Sequence, residues 1–308
     1  MTQEKTDLVE TPVYLPVGDD HVFAIATDPI GPPNGVGVIL AMGGIYKFSL
    51  QRNRFQTRLA RKLAARGYRV VSYDVHGTGE SSGEVDRHEL DAPFEEEADA
   101  AARWMESQGV EDIVFGASCA GGRACMKAAA RMERVRAVAL LSVPVVDYDN
   151  TIRLVKQVEL MPASTIMKRA SSWHGFSGLF DRKRRAQYVK AVFIRIQGVF
   201  RRRKKEWRLS ENFSEPLARL FERKIPVLLA YGNEPMAGDF QAARKGALGK
   251  ILGNAEDLAE IRIYPEHLHS FNTIQIQDKA AELVESWFGR VAPGDRKERS
   301  ERSPANVK

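Results

Sequence analysis

The chain has 308 residues, 44% of them apolar and 28% charged, with a net charge of +6. Such a composition excludes a disordered chain and is enough to bury the core of one large or two ordinary domains. No run of about 18 apolar residues occurs, and the charged first twelve residues lack the apolar stretch of a signal peptide, so the expected address is the cytoplasm.

In chain order, residues 13–17 and 22–26 read as two short strands joined at Gly18-Asp19-Asp20. Residues 35–42 form a continuous apolar strand of the type buried in a parallel sheet, ending at Gly43-Gly44. Residues 54–66 place Phe55, Leu59 and Leu63 on one helical face, stop at Gly67, and lead into a second buried strand over 68–73. A glycine-rich turn, Asp74-Val75-His76-Gly77-Thr78-Gly79-Glu80-Ser81, follows, then a helix over about 94–107. A further strand is predicted over 135–143, after which the alternation stops. Residues 147–224 read as a helical, basic insertion, with 19 Lys/Arg against 6 Asp/Glu between Thr151 and Lys224. Alternation resumes with a strand over 225–231, a helix near 240–252, a strand over 261–264 and a helix over 274–288. The tail from 291 to 308 is polar and expected to be disordered. Repeated strand–helix–strand units require a mostly parallel sheet with helices on both faces, an α/β architecture whose ligand sites lie beyond the C-terminal ends of the strands. The expected organisation is therefore a core of 1–146 and 225–290, a helical lid of 147–224 inserted into it, and the tail.

The stretch from Glu111 to Ala124 carries the chemistry. An apolar strand runs through Gly116-Ala117-Ser118-Cys119-Ala120-Gly121-Gly122 directly into a helix, the layout of a nucleophile elbow, in which the residues two before and two after the nucleophile must be small. Two registers satisfy this. Ser118 would be flanked by Gly116 and Ala120, and Cys119 by Ala117 and Gly121. Cys119 and Cys125 are one to two helical turns apart, which does not suit a structural disulfide. A thiol at a helix N-terminus beside a histidine ionises readily, which weighs toward the cysteine register.

Such a nucleophile needs a base, an orienting acid and oxyanion donors, and in this layout the chain order is nucleophile, acid, histidine. Acids after strands are Asp147, Asp149, Glu234 and Asp239; histidines after the last strand are His267 and His269. The favoured pair is Glu234 with His269, each following a strand, with His267 as the substitute. His76 reads as a turn residue lining the pocket. The oxyanion donors would be the backbone N–H of Ala120 (or of Cys119 in the serine register) and that of Gly44 or Ile45. No metal or cofactor is implied.

Gly43-Gly44, Arg52 followed by the stretch from Leu59 to Tyr68, the Asp74–Ser81 turn, the elbow, Gly232-Asn233-Glu234 and His269-Ser270-Phe271 together resemble the α/β-hydrolase superfamily. More narrowly, they are similar to the exosortase-associated hydrolases, a group related to serine esterases and thioesterases that usually carries cysteine at the elbow. The resemblance covers about residues 36–145 and 225–288 and leaves out the lid. It implies an α/β-hydrolase fold and a nucleophile at Cys119. Ala117 departs from the usual glycine, Glu234 from the commoner aspartate and His76 from the usual arginine; the first departure keeps Ser118 open, because its register restores Gly116.

The expected activity is cleavage or transfer of an acyl group of a carboxylic ester or thioester, with a non-catalytic binding or scaffold protein as the alternative. Residues 181–205 combine apolar positions at helical spacing with Arg201-Arg202-Arg203-Lys204-Lys205. They suit a lid helix over an acyl pocket, docking of an anionic carrier protein or a coenzyme A-linked substrate, or adsorption to an anionic membrane surface. Nucleic acid is not expected, since the basic run lacks interleaved aromatic residues.

Overall fold

A computed structural model describes residues 8–42, 51–83, 94–147, 209–255, 257–268 and 273–294. One eight-stranded sheet organises them, in the order β1-β2-β4-β3-β5-β6-β7-β8. Strands β1 (Val9–Val17) and β2 (Asp20–Asp28) form an antiparallel hairpin. Gly18 closes it at φ +58°, a left-handed conformation that suits the two-residue turn. Strands β3 (Val36–Met42), β4 (Arg69–Tyr73), β5 (Asp112–Ser118), β6 (Val135–Leu141), β7 (Val227–Tyr231) and β8 (Ala259–Ile263) run parallel to one another. This is the mostly parallel sheet expected from the alternating pattern.

Helix α1 (Gln51–Ala64) connects β3 to β4, α2 (Glu95–Ser107) precedes β5, and α3 (Cys119–Arg131) connects β5 to β6. Further along come α4 (Glu211–Glu222), α5 (Pro235–Arg244), α6 (Ala247–Gly253) and α7 (Ile274–Val291). Alternate β3 residues sort to opposite faces of the sheet. Val36, Val38 and Leu40 join Phe55, Leu59 and Leu63 of α1 and Val284, Trp287 and Phe288 of α7 in one apolar core. On the other face, a Cβ at Gly37 would lie 2.8 Å from Val110 and 3.0 Å from Met105 at the end of α2, so glycine permits that close approach. Each of those fully buried Leu, Ile or Val side chains contributes roughly 1.5–3 kcal/mol of transfer free energy.

Two sequence expectations change. Among the described residues, Glu211–Glu222, expected inside the insertion, belong with the core and form α4. Phe213, Leu217 and Leu220 share one face of α4 and are buried, with α4 packed on α3. Arg223 ties its end to the carbonyls of Ala129, at 2.9 Å, and Met132. Charge made this amphipathic helix look like part of the basic insertion. The single helix expected over 240–252 is two, α5 and α6, broken at Lys245-Gly246, and α5 starts earlier, with Pro235 at its first turn, where a missing N–H costs nothing. The rest of the expected lid and the tail beyond residue 294 lie outside the described residues.

The connectivity leaves β3 toward β4 on one side and returns to β5 on the other, so the sheet's topological switch lies between β3 and β5. Their ends are in register, Met42 opposite Ser118. A crevice beyond the C-terminal edge is dictated by this topology.

Candidate active site

Strand β5 lies between β3 and β6 with every residue buried, because Ile113, Val114 and Phe115 are apolar and both faces of the sheet are covered. Its last residue, Ser118, is extended (φ −136°, ψ 155°), pairs with Leu141 of β6 as well as Met42, and is 2% exposed. Cys119, the first residue of α3, has φ +55°. A non-glycine side chain rarely takes this left-handed conformation, and here it turns a strand into a helix within one residue. The thiol is free and half-buried. Of the two elbow registers, the strained backbone therefore belongs to Cys119. Ala120 follows in the first turn of α3, where backbone N–H groups have no intrahelical acceptor and the helix dipole favours negative charge. Gly122 lets the helix start this close to its neighbour: a Cβ there would sit 2.2 Å from Val143 Cγ2.

Glu234 caps α5 two residues beyond Gly232 and is 7% exposed. Three donors hold its carboxylate. Ser142 Oγ and the Gly232 N–H, at 3.1 Å, donate to Oε1, and the Leu268 N–H donates to Oε2 at 3.1 Å. The Asn233 N–H donates to Glu266 O at 2.7 Å, and a Cβ on Gly232 would meet Leu268 N at 2.2 Å. The turn after β7 is thus pressed against the loop after β8. Leu268 is the last described residue of that loop, and His269 follows it in the sequence, outside the described residues.

The other expected site residues sort differently. Gly44, Ile45 and Asp149 also lie outside the described residues. His267 is exposed, as is Asp147, the last described residue after β6, whereas Asp239 is 2% exposed within α5. His76 Nδ1 meets Glu97 Oε1 at 2.5 Å and its ring packs edge-on against Phe94, at 4.8 Å between centroids. Glu97 is buried on α2, and burial raises its carboxyl pKa against the opposing pull of His76. Behind the elbow, Cys125 Sγ lies 4.0 Å from Tyr73 Oη, and burial pushes the Cys125 thiol up to about 12. No group of three or more metal-ligating side chains occurs among the described residues, and no described helix is long and apolar enough to cross a membrane. A cavity of about 760 Å³, lined by Gly232–Glu234, Gln241 and Tyr264, adjoins the acid without reaching Cys119.

Sequence reasoning missed Ser142 and Arg123. Arg123, fully buried one turn into α3, donates through Nε to Pro144 O and through Nη2 to Val146 O, each at 2.9 Å. An arginine inside an otherwise small and apolar helix start was the available signal, since a buried guanidinium needs several acceptors. Ser142 offered none, because its role depends on the strand it faces.

The fold is shared widely. An esterase of Pyrococcus furiosus superimposes with a TM-score of 0.61 at 14% identity, over 94% of this chain and 93% of that one. A thermostable carboxyl esterase of Bacillus coagulans, solved with glycerol, gives 0.55 at 14% identity over 92% and 98%, and carboxyl esterase 2 of Tuber melanosporum gives 0.55 at 16% over 94% and 88%. A sequence comparison with curated proteins finds no match. The model of the Hydrolase_4 family, described as "Serine aminopeptidase, S33", matches residues 48–272, a span that takes in the elbow, Arg123, Ser142 and Glu234. With most of its length inside that match and an α/β-hydrolase sheet around its elbow, the chain belongs to the Hydrolase_4 family of α/β-hydrolases.

Proposed function

We propose that this hydrolase cleaves or transfers the acyl group of a carboxylic ester or thioester, with Cys119 as nucleophile, His269 as base and Glu234 as the acid that orients it. The observation that carries this reading is the φ of +55° at Cys119 on the turn from β5 into α3. A side chain so strained is presented beyond the sheet edge, whereas Ser118 is a buried, extended strand residue. Support for the acid comes from Glu234, whose Oε2 accepts from Leu268, the residue before His269.

In the proposed cycle His269 takes the thiol proton as Cys119 sulfur bonds to the acyl carbon. The resulting oxyanion is held by the Ala120 N–H and one from Gly44 or Ile45. The alcohol or thiol leaves with the proton from His269. Water, deprotonated by His269, then releases the acid, or a second acceptor takes the acyl group. The basic stretch within residues 151–224 favours an anionic leaving group or carrier, or an anionic surface.

The test compares Cys119→Ala and Ser118→Ala on a short-chain p-nitrophenyl ester and an aminoacyl p-nitroanilide. Cys119→Ala should lose at least about 10³-fold in kcat, and Ser118→Ala should retain most turnover. Loss in Ser118→Ala alone would transfer the role to Ser118. Faster anilide than ester turnover would favour the peptidase chemistry in the family's description. A chain that neither turns over ester nor reacts with iodoacetamide at Cys119 would be the binding protein instead.

A further inference from the structure

We infer that Ser142 is a positioning residue for the reaction, holding Glu234 in the orientation that the histidine requires; this rests on the reading proposed above. Ser142 follows β6 with φ +50° and is completely buried. Its N–H donates to Ala230 O at 2.7 Å, and its hydroxyl donates to Glu234 Oε1. A serine in the left-handed region persists only where the surroundings over-determine it, and here they do. Tyr231 Oη donates to Val143 O at 2.8 Å, Arg123 grips the carbonyls of Pro144 and Val146, and the Ser210 N–H donates to Val145 O at 2.9 Å. Four successive carbonyls, 143 to 146, are thus fixed from three directions. The position where a free chain would favour glycine carries the side chain whose hydroxyl reaches the acid.

The geometry also says what the hydroxyl adds. The Gly232 N–H and the Ser142 hydroxyl both donate to Oε1, and the Leu268 N–H donates to Oε2, so both carboxylate oxygens are held. The hydroxyl is the one of these donors that comes from the neighbouring strand end, that of β6. Ser142 joins the β6 end to the β7 end, so the acid is referenced to the same sheet edge that carries the elbow on β5. Small displacements of a catalytic group cost large factors in rate.

The experiment measures kcat, KM and thermal stability for Ser142→Gly and Ser142→Ala, alone and combined with Glu234→Ala, on a p-nitrophenyl ester. Both single variants lack the hydroxyl, but glycine relieves the φ of +50° and alanine does not. Ser142→Gly should therefore melt higher than Ser142→Ala, while both lose kcat about equally, by roughly 10- to 10²-fold, with KM little changed. In the Glu234→Ala background the same substitutions should cost less than about 2-fold, because coupled residues are not additive. Wild-type kcat in Ser142→Gly would overturn the inference and leave a purely structural turn, with the proposed reaction standing. Equal losses with and without Glu234 would overturn it too. Absence of ester turnover in the unaltered chain would overturn the proposed reaction and the inference with it.

Discussion

The two cysteines of α3 stand one to two helical turns apart and live in opposite surroundings. Cys119 opens the helix on a left-handed turn, half-buried, beyond the edge of the sheet. Cys125 faces the sheet, fully buried against Tyr73, and burial raises both the thiol and, well above its usual value, the phenol. On the function proposed above, reactivity falls to Cys119 and packing to Cys125, two identical side chains of one helix. The difference teaches that a thiol's place in the strand–turn–helix decides what it can do.

The largest expected contrast is in alkylation. At pH 8 a thiol whose pKa lies near 12 is ionised to only about one part in 10⁴, so iodoacetamide should modify one cysteine in the folded chain, at position 119. Mass spectrometry of the digested adduct checks this, and modification of Cys125 at a comparable rate would erase the contrast. Next in size is Gly122→Ala, which drives a Cβ to 2.2 Å from Val143 Cγ2. The overpacking should cost about 1–3 kcal/mol in denaturant unfolding and lower kcat, because the elbow is displaced along with the helix.

Cys125→Ala should cost about 1–2 kcal/mol of stability, through the lost packing volume and the lost partner of Tyr73 Oη, and leave ester turnover unchanged. That is the reverse of Cys119→Ala, and a loss of turnover in Cys125→Ala would break the division.

Glu97→Gln should show the smallest effect, visible as a pH dependence. Burial raises the folded-state pKa of Glu97 above the ordinary value of 4.5, so the native chain holds its proton to higher pH than the unfolded chain does. The stabilising protonation is complete below 4.5 and is lost as pH rises through the folded-state value. Relative to the parent, the glutamine variant should therefore gain stability as pH rises through that window, read as a growing difference between the two melting temperatures. A constant difference from pH 4 to pH 8 would show that the pair with His76 cancels the burial.

Much of this architecture was legible in advance. Buried strands announced themselves as apolar runs, as in Val36 to Met42, and Gly67 marked the end of α1. Glu234 is singled out in the sequence because it directly follows an apolar strand, and its contact with the Leu268 N–H brings it beside the loop that continues into His269. Two features misled. Charge extended the apparent insertion over α4, although Phe213, Leu217 and Leu220 already repeat at helical spacing. A continuous helical pattern hid the break at Lys245-Gly246.

What the sequence by itself determined was the set of parts: six parallel-type strands, a strand–turn–helix holding Ser118 and Cys119, and an acid and a histidine in the right order. Those follow from local periodicity and from small residues at fixed spacing. Tertiary structure alone decided which residue of the elbow is strained, because both registers satisfy the local pattern. The pairing of Ser118 with Met42 and Leu141 holds that residue in the sheet and pushes the turn onto Cys119. It decided Ser142 in the same way, since a donor 92 residues from Glu234 in sequence is visible only once β6 and β7 lie side by side.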